Sequence, residues 1–345
     1  MFGVLRTILA VMVLVGHLTD QWQIGTYAVF AFYMISGYLM THIMHEAYGF
    51  TLDGRRRFAL NRFIRLYPGY WFVLVLTLGV LAVVGAEFAV SYNELIYMPS
   101  SVAEWLSVLS MVYVAEFPNK VAPNLAPTTW AITVELFFYL CICLGLSKTK
   151  LRVAIWLFFS LAYVVYCQIA GVSWPYKYFP IPAASLPFAI GAFIYFRKKE
   201  GFISISDSWV SSPATLTALL IGNAIATLIV PEYFQTGFYV SFFISILLCY
   251  EIAMDRRWPV VSAKVDKLIG DYSYPIYLMH WQVGLVLAYL IYGEPVKDAT
   301  SSGYTVAIVS LLICVLIATI IIRFVDRPLE RLKAKRLRSG VEQGN

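Results

Sequence analysis

Ten apolar segments, each near the length needed to cross a bilayer, constrain this chain more than any other feature. They run over 3–20, 25–46, 67–88, 128–146, 151–170, 181–196, 213–230, 236–254, 272–292 and 303–324. Hydrophobic residues make up 60% of the 345, and charged residues only 13%. That is about half the charged share of a soluble domain. Inside hydrocarbon every backbone polar group must be satisfied within its own segment, so each segment reads as a helix. The expected fold is an all-α polytopic membrane protein with about ten transmembrane helices.

Basic residues sit on alternate connections. Arg55, Arg56, Arg57, Arg62 and Arg65 lie between the second and third segments. Later come Lys148, Lys150 and Arg152, then Arg197, Lys198 and Lys199, then Arg256, Arg257, Lys264 and Lys267. The tail carries Arg327, Arg331, Lys333, Lys335, Arg336 and Arg338. The intervening connections hold only Lys120, Lys177 and Lys297, among Glu94, Glu104, Glu116, Glu232, Glu294 and Asp298. Positive charge marks the cytoplasmic side, so both termini are expected there, in a multi-pass protein of the cytoplasmic (inner) membrane. Residues 1–330 form the expected membrane domain, and 331–345 a basic, disordered tail, with no second soluble domain. The first segment lacks a basic leader and a small-residue cleavage site, and is read as a retained helix.

The net charge of +6 is spread over short connections, which is not the footprint of a nucleic-acid-binding protein. Cys141, Cys143, Cys167, Cys249 and Cys314 all lie in apolar segments. Their spacing matches neither a zinc site nor a disulfide framework, so they read as packing residues and no metal is expected. Residues 91–127 are irregular, too long for a tight turn and rich in Pro, Ser and aromatics. Within them SVAEWLSVLSMVYV (101–114) is apolar but short. It reads either as a re-entrant or interfacial helix closing a cavity on the outer side, or as an ordinary surface helix.

Ionisable groups inside a membrane are costly and mark functional sites. Arg6 and His17 share the first segment, eleven positions apart. That spacing is roughly three turns, so the side chains share a face about 16 Å apart along the axis. They are too distant for an ion pair but suited to two ends of one long substrate. Snorkelling of Arg6 and simple packing of His17 are the plainer readings. Histidine is the side chain best suited to general-base work near neutral pH. Arg62 and Arg65 are three apart, which turns two guanidinium forks the same way as a phosphate clamp. The plainer reading is membrane anchoring, as for Arg55, Arg56 and Arg57. Glu135 lies about two turns inside the fourth segment and needs a partner. His17, at similar depth, is the expected one, its imidazole oriented by the carboxylate. Trp130 reads either as a sugar-stacking face or as part of an interfacial aromatic belt. His280 either lines the same cavity or packs. Ser36 and Gly37 mark close helix packing or a narrow passage.

Six motifs, in order along nearly the whole chain, resemble the integral-membrane acyltransferase-3 family. They are the Arg-x10-His pair of the first segment, FYMISGYLM, the RxxR of NRFIRLYP, TTWAITVE, YSYPIYLMH and VDRPLE. Members of that family O-acylate surface polysaccharides, lipopolysaccharide and related acceptors. The resemblance implies an acyl-CoA donor, acetyl-CoA by default, and a glycan or glycolipid acceptor. It implies a catalytic role for His17, with Arg6 and the Arg62–Arg65 pair tied to donor handling or activity. Glu135 joins the catalytic set, Ser36 the donor site, and Trp130 and His280 the acceptor site. One departure is Thr128-Thr129-Trp130-Ala131, where family members often carry His-Thr-Trp-Ser. The competing expectation is a proton-coupled transporter or flippase using His17, Glu135 and His280 as a relay. Against it, the chain has no internal repeat and no paired broken helices. A non-catalytic partner in a polysaccharide assembly is a third reading.

Overall fold

The computed structural model of the chain describes residues 2–113, 123–203, 209–259 and 261–328. Among the described residues there are thirteen α-helices and no strand. They are α1 (Gly3–Leu18), α2 (Trp22–Ile43), α3 (Leu52–Val84), α4 (Ala86–Tyr92), α5 (Val102–Ser110), α6 (Thr129–Leu144), α7 (Lys150–Ile169), α8 (Trp174–Tyr178), α9 (Ile181–Lys199), α10 (Pro213–Ile229), α11 (Phe234–Ala253), α12 (Ala263–Tyr292) and α13 (Ser301–Ile321). The expected tail 331–345, Glu116, Lys120 and the end of VDRPLE lie outside the described residues.

Ten of these helices coincide with the ten apolar segments. Seven are long and apolar enough to cross a membrane, and Gly3–Leu18, Thr129–Leu144 and Pro213–Ile229 are shorter apolar helices. The protein is therefore an all-α polytopic membrane protein. At 1.5 Å per residue the short helices are about 24–26 Å long, somewhat less than a hydrocarbon core of roughly 30 Å. α7 and α13 turn Phe158, Phe159, Leu312 and Leu316 outward, the apolar surface that lipid covers. The five cysteines are unpaired.

α3 departs from its expected boundary. Its N-cap Thr51 accepts a hydrogen bond from Gly54 N, and the helix runs unbroken through Pro68. The expected segment began at residue 67. Instead the basic stretch 55–65 is helical and continuous with the apolar span, so Arg62 and Arg65 ride on a rigid element rather than in a loop.

α2 occupies the centre, packed by α1, α6, α9, α10 and α11. Its crossing with α9 is made by two glycines. A Cβ at Gly37 would sit 2.2 Å from the Phe188 carbonyl oxygen, and one at Gly191 2.1 Å from that of Met34. Gly37 therefore serves close helix packing and not a passage. Gly37→Ala is expected to lower stability by about 3 kcal/mol, because backbone cannot yield to the added methyl. Gly79→Ala is the matched control, since a Cβ there meets nothing within 4 Å. Thermal unfolding of the two variants in detergent checks the difference.

α1 and α12 are parallel and in register. Asp266 of α12 accepts hydrogen bonds from Gly3 N and Val4 N, at 3.1 and 3.0 Å, and so caps the start of α1. A Cβ on Gly270 would meet the Gly3 Cα at 2.6 Å, and Thr7 Oγ1 donates to the Ile269 carbonyl at 2.8 Å. The steps from Gly3 to His17 and from Asp266 to His280 are equal, which brings the two histidines level.

The described parts of the connection between α4 and α6 contact the bundle. The last carbonyls of α5 accept from three α3 side chains, Tyr67 Oη to Ser110 at 2.7 Å, Trp71 Nε1 to Leu109 at 3.0 Å, and Tyr70 Oη to Val108. Farther on, Gln282 Nε2 of α12 donates to the Leu125 carbonyl at 2.8 Å. Val102, Leu106 and Leu109 are exposed along α5. α5 is thus pinned against α3 at the level of Tyr67–Trp71 and leaves an apolar outer side.

Candidate active site

Five of the residues singled out by sequence converge on one cavity enclosing about 810 Å³, part of it open to solvent. α1 contributes Arg6, α2 Ser36, α3 Arg62 and Arg65, and α6 Glu135. Three guanidinium groups against one carboxylate leave the walls cationic, the condition for holding phosphates. Arg65 lies 3.7 Å from Asp271. Arg62 directs Nη1 at the Met40 sulfur, 3.6 Å away. Its buried Nε has no hydrogen-bond partner among the described residues.

Glu135 does not meet His17. Its Oε1 accepts from Ser36 Oγ and its Oε2 from Tyr139 Oη, both at 2.7 Å. The reason lies in α6, which begins inside the bundle and not at a membrane surface. The carbonyl of Thr128, just before α6, accepts from Tyr277 Oη of α12 at 3.1 Å. Glu135 is seven residues farther on, about 10 Å deeper toward the Arg6 end. Tyr139 was not foreseen, although it stands one turn from Glu135 on the same helix face, the usual spacing of interacting pairs.

His17 pairs instead with His280. The Nδ1 of His17 lies 2.9 Å from the Nε2 of His280, and the His280 Nδ1 lies 3.2 Å from the Ile276 carbonyl. His280 is fully buried with both ring nitrogens engaged, so it does not line the cavity as an acceptor-binding residue would. The indole of Trp281 stacks on His17 at 5.0 Å between ring centroids and lies 5.9 Å from the His280 ring. The Lys297 ammonium lies 5.4 Å from the Trp281 ring and donates to the Tyr92 carbonyl. The cavity ends close by. Tyr277 and Phe32 line it with their rings 5.9 Å apart, and Tyr277 is 6.3 Å from the His280 ring. The cavity thus reaches within one aromatic side chain of the histidine pair. Trp130 belongs to neither place. It packs on Tyr178 and Phe179, with centroids at 5.6 and 4.9 Å, in an aromatic cluster.

A cationic cavity on one side of a buried histidine pair suits a membrane enzyme that draws a long anionic substrate toward a proton-transfer group. Residues 2–324 match the acyltransferase-3 family, described as an acyltransferase domain, and the chain belongs to that family. Among similar proteins, the O-acetyltransferase OatA of Staphylococcus aureus (strain NCTC 8325 / PS 47) is 23% identical over 357 residues, covering 95% of this chain and 56% of the relative. The peptidoglycan O-acetyltransferase OatA of Listeria monocytogenes is 20% identical over 354 residues, covering 95% and 55%. The chain thus spans little more than half the length of these curated relatives. No solved structure matches it.

Proposed function

We propose that the protein is a membrane O-acyltransferase that moves an acyl group, by default acetyl, from cytoplasmic acyl-CoA to a hydroxyl of an extracytoplasmic or lipid-linked glycan. The observation that carries this reading is the order of groups along the interior: Arg6, Arg62 and Arg65 at one end of the cavity, Phe32 and Tyr277 at its other end, and His17 just beyond. Basic connections mark the arginine end as cytoplasmic, where coenzyme A is made.

In this reading the nucleotide phosphates rest on Arg62, Arg65 and Arg6. The pantetheine arm runs along the apolar wall toward Tyr277. Its length is of the same order as the Arg6–His17 separation, about 16 Å along the helix. Glu135 holds the Ser36 and Tyr139 hydroxyls and balances part of the arginine charge, which makes it a positioning residue and not the partner of His17. His17 removes the proton of the acceptor hydroxyl as its oxygen attacks the thioester carbonyl. The carbon–sulfur bond breaks, and the thiolate leaves with that proton. The products are the O-acyl ester and coenzyme A. The acceptor arrives from the side of Lys297 and α5.

The test uses the purified chain in proteoliposomes with [14C]acetyl-CoA inside and peptidoglycan fragments or host surface glycans outside. The name of the Listeria relative puts peptidoglycan first among acceptors. Base-labile radiolabel on the glycan is the expected result. Folded protein that cleaves no thioester above a heat-treated control overturns the reading.

A further inference from the structure

The two histidines form a directed hydrogen-bond chain, and its direction is set by an atom that carries no proton. The Ile276 carbonyl can only accept, so the His280 Nδ1 that lies 3.2 Å from it must donate. His280 is fully buried, and among the described residues no carboxylate contacts it. A charged imidazolium there would be uncompensated, so the ring is neutral and its Nε2 bears a lone pair. That lone pair lies 2.9 Å from the Nδ1 of His17, which must then be the protonated nitrogen of His17. Among the described residues the ring of His17 is hydrogen-bonded through Nδ1 and not through Nε2, and the side chain is partly exposed where His280 is not.

We infer that His280 is a positioning residue which holds His17 in the Nδ1–H tautomer, so that Nε2 is the free base presented to the acceptor. The catalytic consequence rests on the acyltransferase reading. The tautomer does not, because it follows from the Ile276–His280–His17 geometry alone. In the transfer step the acceptor proton goes to the His17 Nε2 while Nδ1–H stays on His280, and the same Nε2 proton then leaves with the coenzyme A thiolate. No proton passes along the chain, and both histidines end the cycle as they began. Trp281 stacks on His17 and keeps the ring from turning, so the orientation persists between turnovers. Loss of tautomer control in a histidine-based site typically costs between 10²-fold and 10⁴-fold in rate.

The experiment reads the tautomer and the rate separately. The chain has only four histidines, so 15N-histidine labelling in nanodiscs gives a countable spectrum, with His17 assigned by its disappearance in His17→Asn. The expected wild-type signal for His17 is protonated at Nδ1 and bare at Nε2. In His280→Phe the ring loses that preference, and kcat falls about 100-fold with KM for acetyl-CoA unchanged. In His280→Gln the amide oxygen again accepts from Nδ1–H, restoring the tautomer and bringing kcat to within about tenfold of wild type. If His280→Phe fails to fold, the wild-type spectrum and the His280→Gln rate decide. An Nε2–H tautomer in the wild type, or full activity in folded His280→Phe, overturns the inference. A wild-type protein with the Nδ1–H tautomer but no acyl transfer overturns the acyltransferase reading and leaves the positioning role standing.

Discussion

His17→Ala is expected to fold, to bind acetyl-CoA with unchanged affinity, and to transfer no acyl group. General-base assistance contributes roughly 10²-fold to 10⁴-fold, so kcat should fall by on the order of 10³-fold. Binding should survive because the side chain lies outside the cavity that Arg6, Arg62 and Arg65 line. Folding should survive because α1 remains capped by Asp266 and packed along α12 through Gly3, Gly270 and Thr7. Radiolabel transfer and equilibrium binding on one preparation separate the two effects. A variant retaining more than a tenth of wild-type transfer would remove His17 from the chemistry. One that loses donor binding instead would place the thioester-holding contacts on α1.

The second large effect is expected at Arg62. Among the described residues its Nε has no hydrogen-bond partner and its Nη1 meets a methionine sulfur, a weak acceptor, so a phosphate oxygen would be a stronger partner. A charge-assisted hydrogen bond to phosphate is worth about 2 kcal/mol, or ~30-fold in affinity. Arg62→Ala should therefore raise KM for acetyl-CoA by about that factor with kcat little changed. Arg65 already lies against Asp271, and Arg65→Ala should cost less. Acetyl-pantetheine lacks the nucleotide phosphates, and its KM should be indifferent to Arg62→Ala. Equal penalties on both donors would show that Arg62 supports the cavity wall rather than the phosphates.

The cationic cavity was legible in the sequence because its parts are charged and its surroundings are not. Arg6, Arg62, Arg65 and Glu135 stand out against apolar neighbours, and Ser36 sits among small residues at mid-helix. All five meet in the cavity. The pairings were less legible. Glu135 was given to His17 by counting depth from the hydropathy edge of its segment. That count fails when a helix starts inside the bundle, as α6 does where the Thr128 carbonyl meets Tyr277. The His17–His280 pair depends on which helices are neighbours. Nothing in the periodicity of either segment says that the first lies against the ninth. The signals lay in Gly3, Gly270 and Asp266, whose meaning appears only when the two helices are placed side by side. The start of α3 was set by where hydropathy rises, which is blind to the basic turns 52–66 that continue the same helix.

The fastening of α1 to α12 bears on how rigidly the histidine pair is held relative to the cavity. One end is tied by Asp266 and the other by His280. A slip of one turn, about 5.4 Å, would break both ties at once and pull the glycine crossing out of contact. The two helices therefore behave as a fixed rail. On the proposed acyltransferase reading, an acyl group passing Phe32 and Tyr277 along this frame would change compartments by group translocation, its bulky carrier staying on the side where it bound.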